Sequence, residues 1–453
     1  MSSPPEPGAV DEPTSGPAAA LGDRIADRTA LVGIVGLGYV GLPLALAFAE
    51  GGFAVLGFDV DAAKIELLGR GETYVRYLDR GRVERAVRSG QLTATADFAR
   101  LGEPDALLIC VPTPLTPQRE PDMTFITGTA GQIAARLRPG QLVVLESTTY
   151  PGTTDELLRG RLEAGGLACG RDFFLAYSPE REDPGNPTFS TTNTPKVIGG
   201  VDEISGELAD RLYAAVVART VRVSSARAAE ATKLMENVFR AVNIALVNEL
   251  KVVYDRMGID IWEVLDAAAT KPFGFMRFDP GPGWGGHCIP LDPFYLAWKA
   301  REFGVSPRFI ELAGEVNVRM PEYVVDKLAR ALNQRGRTVS GSRVLVLGLA
   351  YKRDIDDPRE SPAFEIVDHL LRLGADVRYH DPHVPVAPKM RSWPDLPPMR
   401  SEALTAETLS SADAVVVVTD HTAVDYELVA RYAPLIVDTR GVYRRSGHPV
   451  VKA

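Results

Sequence analysis

A cysteine follows a glycine-rich stretch in the second half of the chain. Just before Cys288, four of six residues are glycine: Gly281, Gly283, Gly285 and Gly286. Residues without a Cβ let the backbone approach a ligand closely. A thiol after such a turn, near the predicted start of a helix, is placed to lose its proton and act as a nucleophile. Local context leaves open the alternative of an inert buried thiol, the usual fate of free cysteine.

The remaining cysteines carry less chemistry. Cys110 lies inside an apolar run and is predicted to be core, and Cys169 lies in a glycine-rich loop without partner chemistry. His287 could act as a base beside Cys288, but no Cys/His cluster accompanies it, so we predict no metal site. Three cysteines are too few for a disulfide framework and suit a reducing compartment.

The most complete motif lies near the start of the chain. The run LVGIV is followed by GLGYVG, a helical pattern and a second apolar run that ends at Asp59. In GxGxxG the glycines permit a tight turn, close approach to a pyrophosphate and close helix–strand packing, and the helix N-terminus attracts phosphates. Asp59 suits the adenosine ribose hydroxyls and repels a 2′-phosphate, which favours NAD over NADP. The alternative is a glycine turn without a ligand. Candidate cofactor-binding residues here are Gly36, Gly38, Tyr39, Val40, Gly41, Asp59 and Lys64.

Two further apolar runs end in hydroxyl-bearing turns. Thr113 follows residues 106–111, and Thr148 follows residues 142–145. Ligands of doubly wound sheets bind at the carboxyl ends of the strands. Both threonines are therefore candidates to face the nicotinamide half of the cofactor, although either could instead cap a helix.

A long helix is predicted in the middle of the chain. From Ala228 to Met257 apolar residues recur at helical spacing, which corresponds to a helix of roughly 45 Å. Such a helix commonly joins two domains or forms a dimer core. Lys233 and Asn237 are four residues apart and share one face, which Arg240 adjoins. This pattern alone also fits a solvated polar face.

A second α/β unit follows. Strands are predicted at residues 343–347, 376–380, 414–419 and 435–438, but only Gly348 stands where a dinucleotide fingerprint needs three glycines. We therefore expect a smaller nucleotide here. The loop from residue 351 to 361 places Lys352 and Arg359 where they could hold phosphates, or it is a surface ion-pair loop.

The length and net charge of the chain limit its number of domains and the classes of partner that it can bind. At roughly 150 residues per domain, 453 residues suggest about three units. Fifty Lys and Arg against 59 Asp and Glu give a net charge of −9, which argues against binding to nucleic acid or an anionic membrane. No apolar run is long enough for a transmembrane helix, and the proline-rich start lacks the features of a signal peptide. We predict a soluble cytoplasmic protein with a disordered tail (1–28), an NAD-binding Rossmann domain (29–222), a central helical dimerisation domain (223–336) and a second, Rossmann-like nucleotide-binding domain (337–453).

Together these motifs resemble the nucleotide-sugar 6-dehydrogenase family, which includes UDP-glucose, UDP-N-acetylglucosamine and UDP-N-acetylmannosamine dehydrogenases. The resemblance covers about residues 30–445 and is strongest at 178–181, 233–240, 285–292 and 352–359. It implies an α/β fold with two Rossmann-like, doubly wound parallel-sheet domains joined by a long central helix. It also implies NAD as cofactor, a nucleotide-diphosphate sugar as substrate and a homodimer formed through that helix.

The resemblance carries roles to individual residues. Cys288 resembles the catalytic thiol, and Lys233 with Asn237 resembles the pair that holds the substrate and the oxyanion. Asp292 resembles the carboxylate that orders a water, with Thr148 beside it. Glu180 stands in a loop that contacts substrate, Lys352 resembles a substrate-phosphate ligand and Arg359 one that reaches NAD. The implied substrate-binding residues are Glu180, Arg181, Lys233, Asn237, Arg240, Lys271, Arg277, Gly283, Lys352 and Arg440.

Two positions depart from the UDP-glucose pattern. Pro184 occupies the place of a second loop glutamate, in a Glu-Arg-x-Asp-Pro-Gly form more typical of the UDP-N-acetylhexosamine branch. Pro272 stands where UDP-glucose enzymes carry an arginine that crosses from the partner subunit, so Lys271 or Arg277 is a candidate replacement. Both departures lie on the sugar side.

The implied reaction is the oxidation of a sugar CH2OH to a carboxylate with two NAD, through a thiohemiacetal and a thioester on Cys288. UDP-glucose and UDP-N-acetylhexosamines are the leading substrates, with dTDP-glucose as an alternative. The pathway served could be surface polysaccharide or a glycosylated secondary metabolite. A one-step NAD-dependent hydroxyacid dehydrogenase is a rival class that needs no Cys288. A non-catalytic nucleotide-sugar sensor is a second rival, and the intact catalytic residues argue against it.

Overall fold

The computed structural model describes residues 16–75, 78–116, 118–181, 188–286, 289, 291–390 and 392–453. These residues form two compact units. The first unit contains the residues up to Pro114 together with Asp122–Lys233, and the second contains Leu115–Pro121 and Leu234–Ala453. The three-domain boundaries drawn from the sequence stay a prediction.

The first unit is built around an eight-stranded sheet with the order β3-β2-β1-β4-β5-β6-β7-β8. Its strand pairs are parallel except β6 with β7. The elements in chain order are α1 (Pro17–Ala26), β1 (Leu31–Val35), α2 (Gly41–Glu50), β2 (Ala54–Phe58), α3 (Ala62–Gly69), α4 (Arg80–Arg88), β3 (Leu92–Thr95), β4 (Ala106–Ile109), α5 (Thr124–Ala134), β5 (Leu142–Leu145), α6 (Arg159–Glu163), β6 (Phe174–Tyr177), β7 (Lys196–Gly200), α7 (Glu203–Ala214), β8 (Thr220–Arg222) and α8 (Ala226–Met257). Helix α8 continues into the second unit.

Apolar cores lie on both faces of this sheet. Side chains alternate between the faces along each strand, so Val32 and Ile34 of β1 join a core with Phe48 of α2. Val35 instead joins a second core with Ile126 of α5. Continuous apolar strands such as LVGIV are therefore explained by burial on both sides, as expected for a parallel sheet.

The second unit contains a parallel sheet with the order β10-β9-β11-β12-β13. After α8 its elements are α9 (Ile261–Ala268), α10 (Asp292–Glu302), α11 (Arg308–Val318), α12 (Met320–Asn333), β9 (Arg343–Leu347), α13 (Pro362–Arg372), β10 (Asp376–His380), α14 (Ala406–Ser411), β11 (Ala414–Val417), α15 (Tyr426–Tyr432), β12 (Ile436–Asp438) and β13 (Val451–Lys452). Val346 packs in one core with Phe364, and Leu347 packs in another with Val429. The predicted α/β class with two parallel-dominated sheets is confirmed.

The two sheets repeat one turn. Gly36 follows β1 and Gly348 follows β9, with φ of 93° and 88°. A Cβ on Gly36 would lie 2.6 Å from the carbonyl oxygen of Cys110, and one on Gly348 would lie 2.5 Å from that of Thr419. Each glycine is therefore required where the turn passes the end of the neighbouring central strand.

The prediction of a disordered tail through residue 28 was wrong for Pro17–Ala26, which form α1. Proline at the first helical position is compatible with a helix start. Leu21 and Ile25, four residues apart, both lie in the core that also contains Leu208 and Leu212 of α7. Burial of this apolar pair outweighs the proline- and alanine-rich composition on which the prediction rested. No helix in the described parts of the chain combines the length and hydropathy needed to cross a bilayer.

A buried carboxylate attaches α8 to the turn after β5. Glu230 is fully buried. Its Oε2 accepts a hydrogen bond from the backbone N–H of Gly152 (2.7 Å), and its Oε1 accepts from the N–H (2.9 Å) and the hydroxyl (2.7 Å) of Thr154. Burial raises the pKa of Glu230 to about 7, against the opposing effect of these hydrogen bonds. The helix that carries Lys233 is thus fastened to the turn that carries Thr148.

Leu21→Ala should destabilise the protein by about 3 kcal/mol, because it removes a buried side chain and leaves a cavity. The measurement is the midpoint of urea unfolding. Asp23→Ala, on the exposed side of the same helix, is the matched control and should stay within about 0.5 kcal/mol of the wild type. Equal stability of Leu21→Ala and the wild type would contradict the packing of α1.

Glu230 should make stability depend on pH. Its folded-state pKa is raised from 4.5 to about 7. The folded state therefore holds the proton more tightly, and this stabilisation is lost as pH rises through that window. The loss amounts to about 3 kcal/mol for a shift of that size. Melting curves should show the wild type's advantage over Glu230→Gln shrinking between pH 4.5 and 7.

Glu249→Gln provides the control for that series, because Glu249 is exposed on the same helix. Its melting temperature should follow the wild type in parallel at every pH. A pH-independent gap between the wild type and Glu230→Gln would be inconsistent with a raised pKa at Glu230.

Candidate active site

The glycine-rich turn after β1 has room for a ligand. A Cβ on Gly41 would lie 1.8 Å from the carbonyl oxygen of Gly36, so helix and turn pack in contact there. A Cβ on Gly38 would meet nothing within 4 Å, so that glycine borders open space. Helix α2 begins at Gly41, after Val40, without a side-chain cap. A close-packed turn, an open central glycine and an uncapped helix start fit the pyrophosphate of a dinucleotide.

Asp59 faces this turn from the end of β2. Its buried carboxylate accepts hydrogen bonds from the N–H of Leu37 (3.0 Å) and of Asp61 (2.9 Å). Lys64 Nζ lies 3.0 Å from Asp59 Oδ2. The structure thus brings two predicted cofactor residues together as an ion pair. Burial, and then the charge of Asp59, raises the pKa of Tyr74, whose hydroxyl donates to the Leu37 carbonyl.

The turns after β4 and β5 are joined by one hydroxyl. Ser147 Oγ lies 2.8 Å from the carbonyl oxygen of Val111 and 3.2 Å from that of Ile109. Thr113 is buried and Thr148 is half-buried. Both predicted threonines therefore lie at the carboxyl edge of the sheet, in turns fixed to each other.

A cluster of buried charges that the sequence analysis missed lies beneath Glu180. Lys196 Nζ is 2.6 Å from Glu146 Oε2 and 3.4 Å from Glu180 Oε2, and the Tyr213 hydroxyl donates to the other oxygen of Glu146. Burial raises the pKa of Glu146 to about 7. Burial acts to lower the pKa of Lys196, but the negative charges of Glu146 and Glu180 outweigh burial, so the pKa is raised.

The same cluster reaches α8. Lys233 Nζ donates to the backbone carbonyl of Glu180 at 2.6 Å, and Lys233 is buried. The N–H of Arg181 donates to Glu180 Oε1 (2.7 Å), and its guanidinium donates to the Pro195 carbonyl (2.7 Å). Two predicted catalytic residues, Lys233 and Glu180, are therefore in contact. Pro184 and the rest of 182–187 lie outside the described residues.

Two more predicted catalytic residues meet in the second unit. Asn237 Nδ2 donates to Asp292 Oδ2, and both side chains are buried. Asp292 is the first residue of α10, where the helix dipole favours a negative charge. Cys288 and His287 lie outside the described residues, so the nucleophile stays a prediction.

The glycines before Cys288 pack mainly against protein. A Cβ on Gly285 or on Gly286 would lie 2.8 Å from the side chain of Tyr351, and one on Gly283 would lie 3.2 Å from the carbonyl oxygen of Asn317. Gly283 and Gly286 also have positive φ, 130° and 86°. Close approach to neighbouring chain segments, rather than to a ligand alone, thus accounts for glycine at these three positions.

Gly281 lies between the buried Lys251 and the half-buried Arg440. A Cβ on it would be 2.6 Å from the Arg440 guanidinium, and its carbonyl accepts from Lys251 Nζ at 3.2 Å. Burial lowers the pKa of Lys251 to about 7, with Arg440 contributing, and lowers that of Arg440 to about 10, with Arg353 contributing. Lys251 was not among the predicted residues, because a lysine within a long amphipathic helix gives no local signal of burial.

A cationic cavity of about 430 Å³ lies near Arg440 in the second unit. It is at the carboxyl ends of β11 and β12, where ligands of parallel sheets bind. Its lining includes Arg353, Arg440, Arg444, Arg445, Tyr426 and His421. This arrangement suits an anionic ligand with a planar group.

Several predicted ligands are engaged elsewhere in their own unit. Arg277 pairs with Asp266 (2.6 Å) and Asp279 (2.8 Å), which raises its pKa through hydrogen bonds to both carboxylates. Arg359 forms a two-pronged ion pair with Asp357, at 2.8 and 2.6 Å. Lys271 lies over the Phe273 ring at 5.1 Å, Arg240 is exposed and Lys352 is half-buried. Both guanidinium groups keep N–H donors beyond those that the carboxylates take.

Among the described residues, one group of side chains has donor atoms close enough for a metal ion. The donor atoms of Asp354, His383 and His421 lie within 4.8 Å of one another. However, His421 Nδ1 accepts from the Asp354 N–H (2.9 Å) and its Nε2 lies 3.1 Å from Asp381 Oδ2. Because both ring nitrogens of His421 are hydrogen-bonded, we assign no metal to this group.

Comparison with known proteins identifies the family. The chain matches the UDP-glucose/GDP-mannose dehydrogenase family in its NAD binding domain (residues 30–217), central domain (227–319) and UDP binding domain (345–445). It is 38% identical over 364 residues to a UDP-N-acetyl-D-glucosamine 6-dehydrogenase of Pseudomonas aeruginosa, covering 80% of this chain and 85% of that one. It is 36% identical over 430 residues to an NDP-N-acetyl-D-galactosaminuronic acid dehydrogenase of Ralstonia nicotianae, covering 91% and 96%.

A solved structure agrees with these matches. The UDP-D-ManNAc dehydrogenase of Pyrococcus horikoshii superposes with a TM-score of 0.83 at 33% identity, covering 93% of this chain and 98% of that one. The predicted resemblance and the predicted cofactor, NAD, are both confirmed. The chain belongs to the UDP-glucose/GDP-mannose dehydrogenase family of NAD-dependent oxidoreductases.

Proposed function

We propose that the protein oxidises a nucleotide-diphosphate hexose at C6, converting CH2OH to a carboxylate with two NAD. The observation that carries the proposal is the buried hydrogen bond from Asn237 of α8 to Asp292, which begins α10 and is the fourth residue after Cys288 in the sequence. A buried amide can donate to an oxyanion, and a buried carboxylate can orient water.

The proposed reaction consists of two oxidations followed by one hydrolysis. NAD, held by the glycine-rich turn after β1 and by Asp59, would supply the hydride acceptor for each oxidation. In the first, a base or water takes the hydroxyl proton and an aldehyde forms. The Cys288 thiolate adds to the aldehyde carbon, which restores a tetrahedral carbon bearing hydride and oxygen. The second oxidation leaves a thioester, and water releases the carboxylate and the thiol.

The remaining residues take supporting roles. The Lys233 ammonium and the Asn237 amide donate to the developing oxyanion, an effect worth about 3 kcal/mol per donor. Asp292 and Thr148 orient the hydrolytic water. Glu180 contacts the sugar and assists proton transfer from the hydroxyl or the water.

UDP-N-acetylhexosamines are the favoured substrates. The Glu-Arg-x-Asp-Pro-Gly form of residues 180–185 is the sequence feature that supports them, and relatives are named for N-acetylated sugars. UDP-glucose and dTDP-glucose are the alternatives. The cationic cavity near Arg440 is the proposed site for the anionic nucleotide.

We also propose a cytoplasmic homodimer formed through α8. Five large apolar side chains of this helix are exposed in the single chain: Met235, Phe239, Leu246, Val253 and Met257. Burial against a second copy removes them from water.

A panel of UDP- and dTDP-sugars, followed by NADH absorbance, tests the function. The favoured substrate should yield two NADH per sugar, whereas one NADH would support a one-step hydroxyacid dehydrogenase. No NADH with any sugar would support the sensor alternative.

Cys288→Ser should stall before the carboxylate forms, and Cys169→Ser is the matched control. Full turnover by Cys288→Ser would exclude the nucleophile assignment.

Lys233→Ala should lower kcat about 100-fold, with a smaller change in KM, because an oxyanion donor acts mainly in the transition state. Initial rates over a range of sugar concentrations at saturating NAD provide both kcat and KM. Lys389→Ala removes an exposed lysine and should leave kcat unchanged. A rise in KM alone would contradict the oxyanion role.

A further inference from the structure

We propose that Lys196 is a positioning residue for the reaction, which fixes the carboxylate of Glu180 and thereby the carbonyl group that receives Lys233. The inference rests on the proposed function, in which Glu180 and Lys233 act on the sugar. Lys196 is the first residue of β7, and Glu180 lies in the loop after β6.

Lys196 is itself held in place from the other side. Its side chain is 3% exposed, and its Nζ lies 2.6 Å from Glu146 Oε2. Because the Tyr213 hydroxyl occupies the other oxygen of Glu146, that carboxylate has one orientation. The ammonium is therefore fixed where it can reach Glu180 Oε2 at 3.4 Å.

Stability alone does not explain these charges. Removing an ammonium and a carboxylate from water costs several kcal/mol per ion, and apolar side chains of similar volume are often at least as stable. The pair also does not face solvent, since the Glu146 side chain is fully buried. The Lys196–Glu146 pair supplies a rigid cation directed at the carboxylate of Glu180, which an apolar pair could not supply.

Glu180 transmits this position to α8. Its carboxylate lies against Lys196 and the N–H of Arg181, while its carbonyl accepts from Lys233 Nζ at 2.6 Å. A shift of the Glu180 side chain therefore displaces the acceptor of the Lys233 ammonium. Charged and titratable groups that interact with Glu180 come from its own loop, the ends of β4 and β5, and β7, α7 and α8; they include Arg181, Cys110, Glu146, Lys196, Tyr213 and Lys233.

Lys196→Met is the primary test, because methionine keeps the unbranched chain and removes the ammonium. We expect kcat to fall 10- to 100-fold and the acid limb of the kcat/KM pH profile to move to higher pH. The limb moves because a carboxylate that loses a neighbouring cation gains its proton more readily. Lys389→Met, the same change at an exposed lysine, should alter neither.

A second variant distinguishes loss of the ammonium from misfolding caused by a buried, unpaired Glu146. Lys196→Met with Glu146→Gln removes both buried charges while the amide oxygen can still accept from Tyr213. It should show the same shift of the acid limb. In a Glu180→Gln background, adding Lys196→Met should cause no further loss of kcat, since the two residues act as one unit. An unmoved acid limb, or an equal fold-loss in both backgrounds, would overturn the proposal.

Hydrogen exchange separates this inference from the proposed function. The backbone amide of Arg181, which donates to Glu180, should exchange faster in Lys196→Met than in wild type and Lys389→Met. If the wild type oxidises no nucleotide sugar, the proposed function fails, and exchange alone decides whether Lys196 positions the loop. Unchanged exchange would then refute the positioning role.

Discussion

Backbone N–H and C=O groups just beyond the carboxyl ends of parallel strands have no inter-strand hydrogen bonds. Where these groups are buried, they need other hydrogen-bond partners. Both units of this protein use the acid that ends the next strand. Asp59 accepts from the N–H of Leu37, and Asp381 accepts from the N–H groups of Leu349 and Ala350. The requirement for partners therefore places carboxylates at the edge where the ligands of such sheets bind.

The same requirement explains how the first unit holds its longer turns. Glu230 satisfies donors in the turn after β5, and Ser147 satisfies carbonyl groups after β4. A turn fixed by buried hydrogen bonds needs little reorganisation when charge develops beside it, which is the condition for electrostatic catalysis. Stability of the fold and preorganisation of the site thus depend on the same few side chains.

Features with a local period or a local motif could be predicted from the sequence. The apolar runs predicted the strands, and the 3.6-residue repeat predicted α8. The GLGYVG motif followed by Asp59 predicted the glycine-rich turn after β1. Helix α1 was missed because its signal is only Leu21 and Ile25 within a proline- and alanine-rich segment.

Contacts that join distant parts of the chain could not be predicted in this way. Glu146 and Lys196 are 50 residues apart, and Glu230 is 78 residues from Gly152. Glu146 and Lys196 stand beside apolar runs and Glu230 lies in a helical pattern, so only the folded chain shows what each of them faces. Arg277 and Arg359 each have a carboxylate partner only two residues away, Asp279 and Asp357, and Arg277 also pairs with Asp266. Composition alone could not decide between these partners and a ligand.

The net charge of −9 also gains a physical meaning. The buried Lys251 and the half-buried Arg440 both lie against Gly281, and loss of hydration lowers the pKa of both. Two poorly hydrated cationic groups are electrostatically unfavourable to each other, so an anion bound nearby would be attracted more strongly than by exposed lysines. An acidic protein can therefore hold an anionic nucleotide, because burial concentrates a few positive charges where the excess of surface carboxylates is least effective.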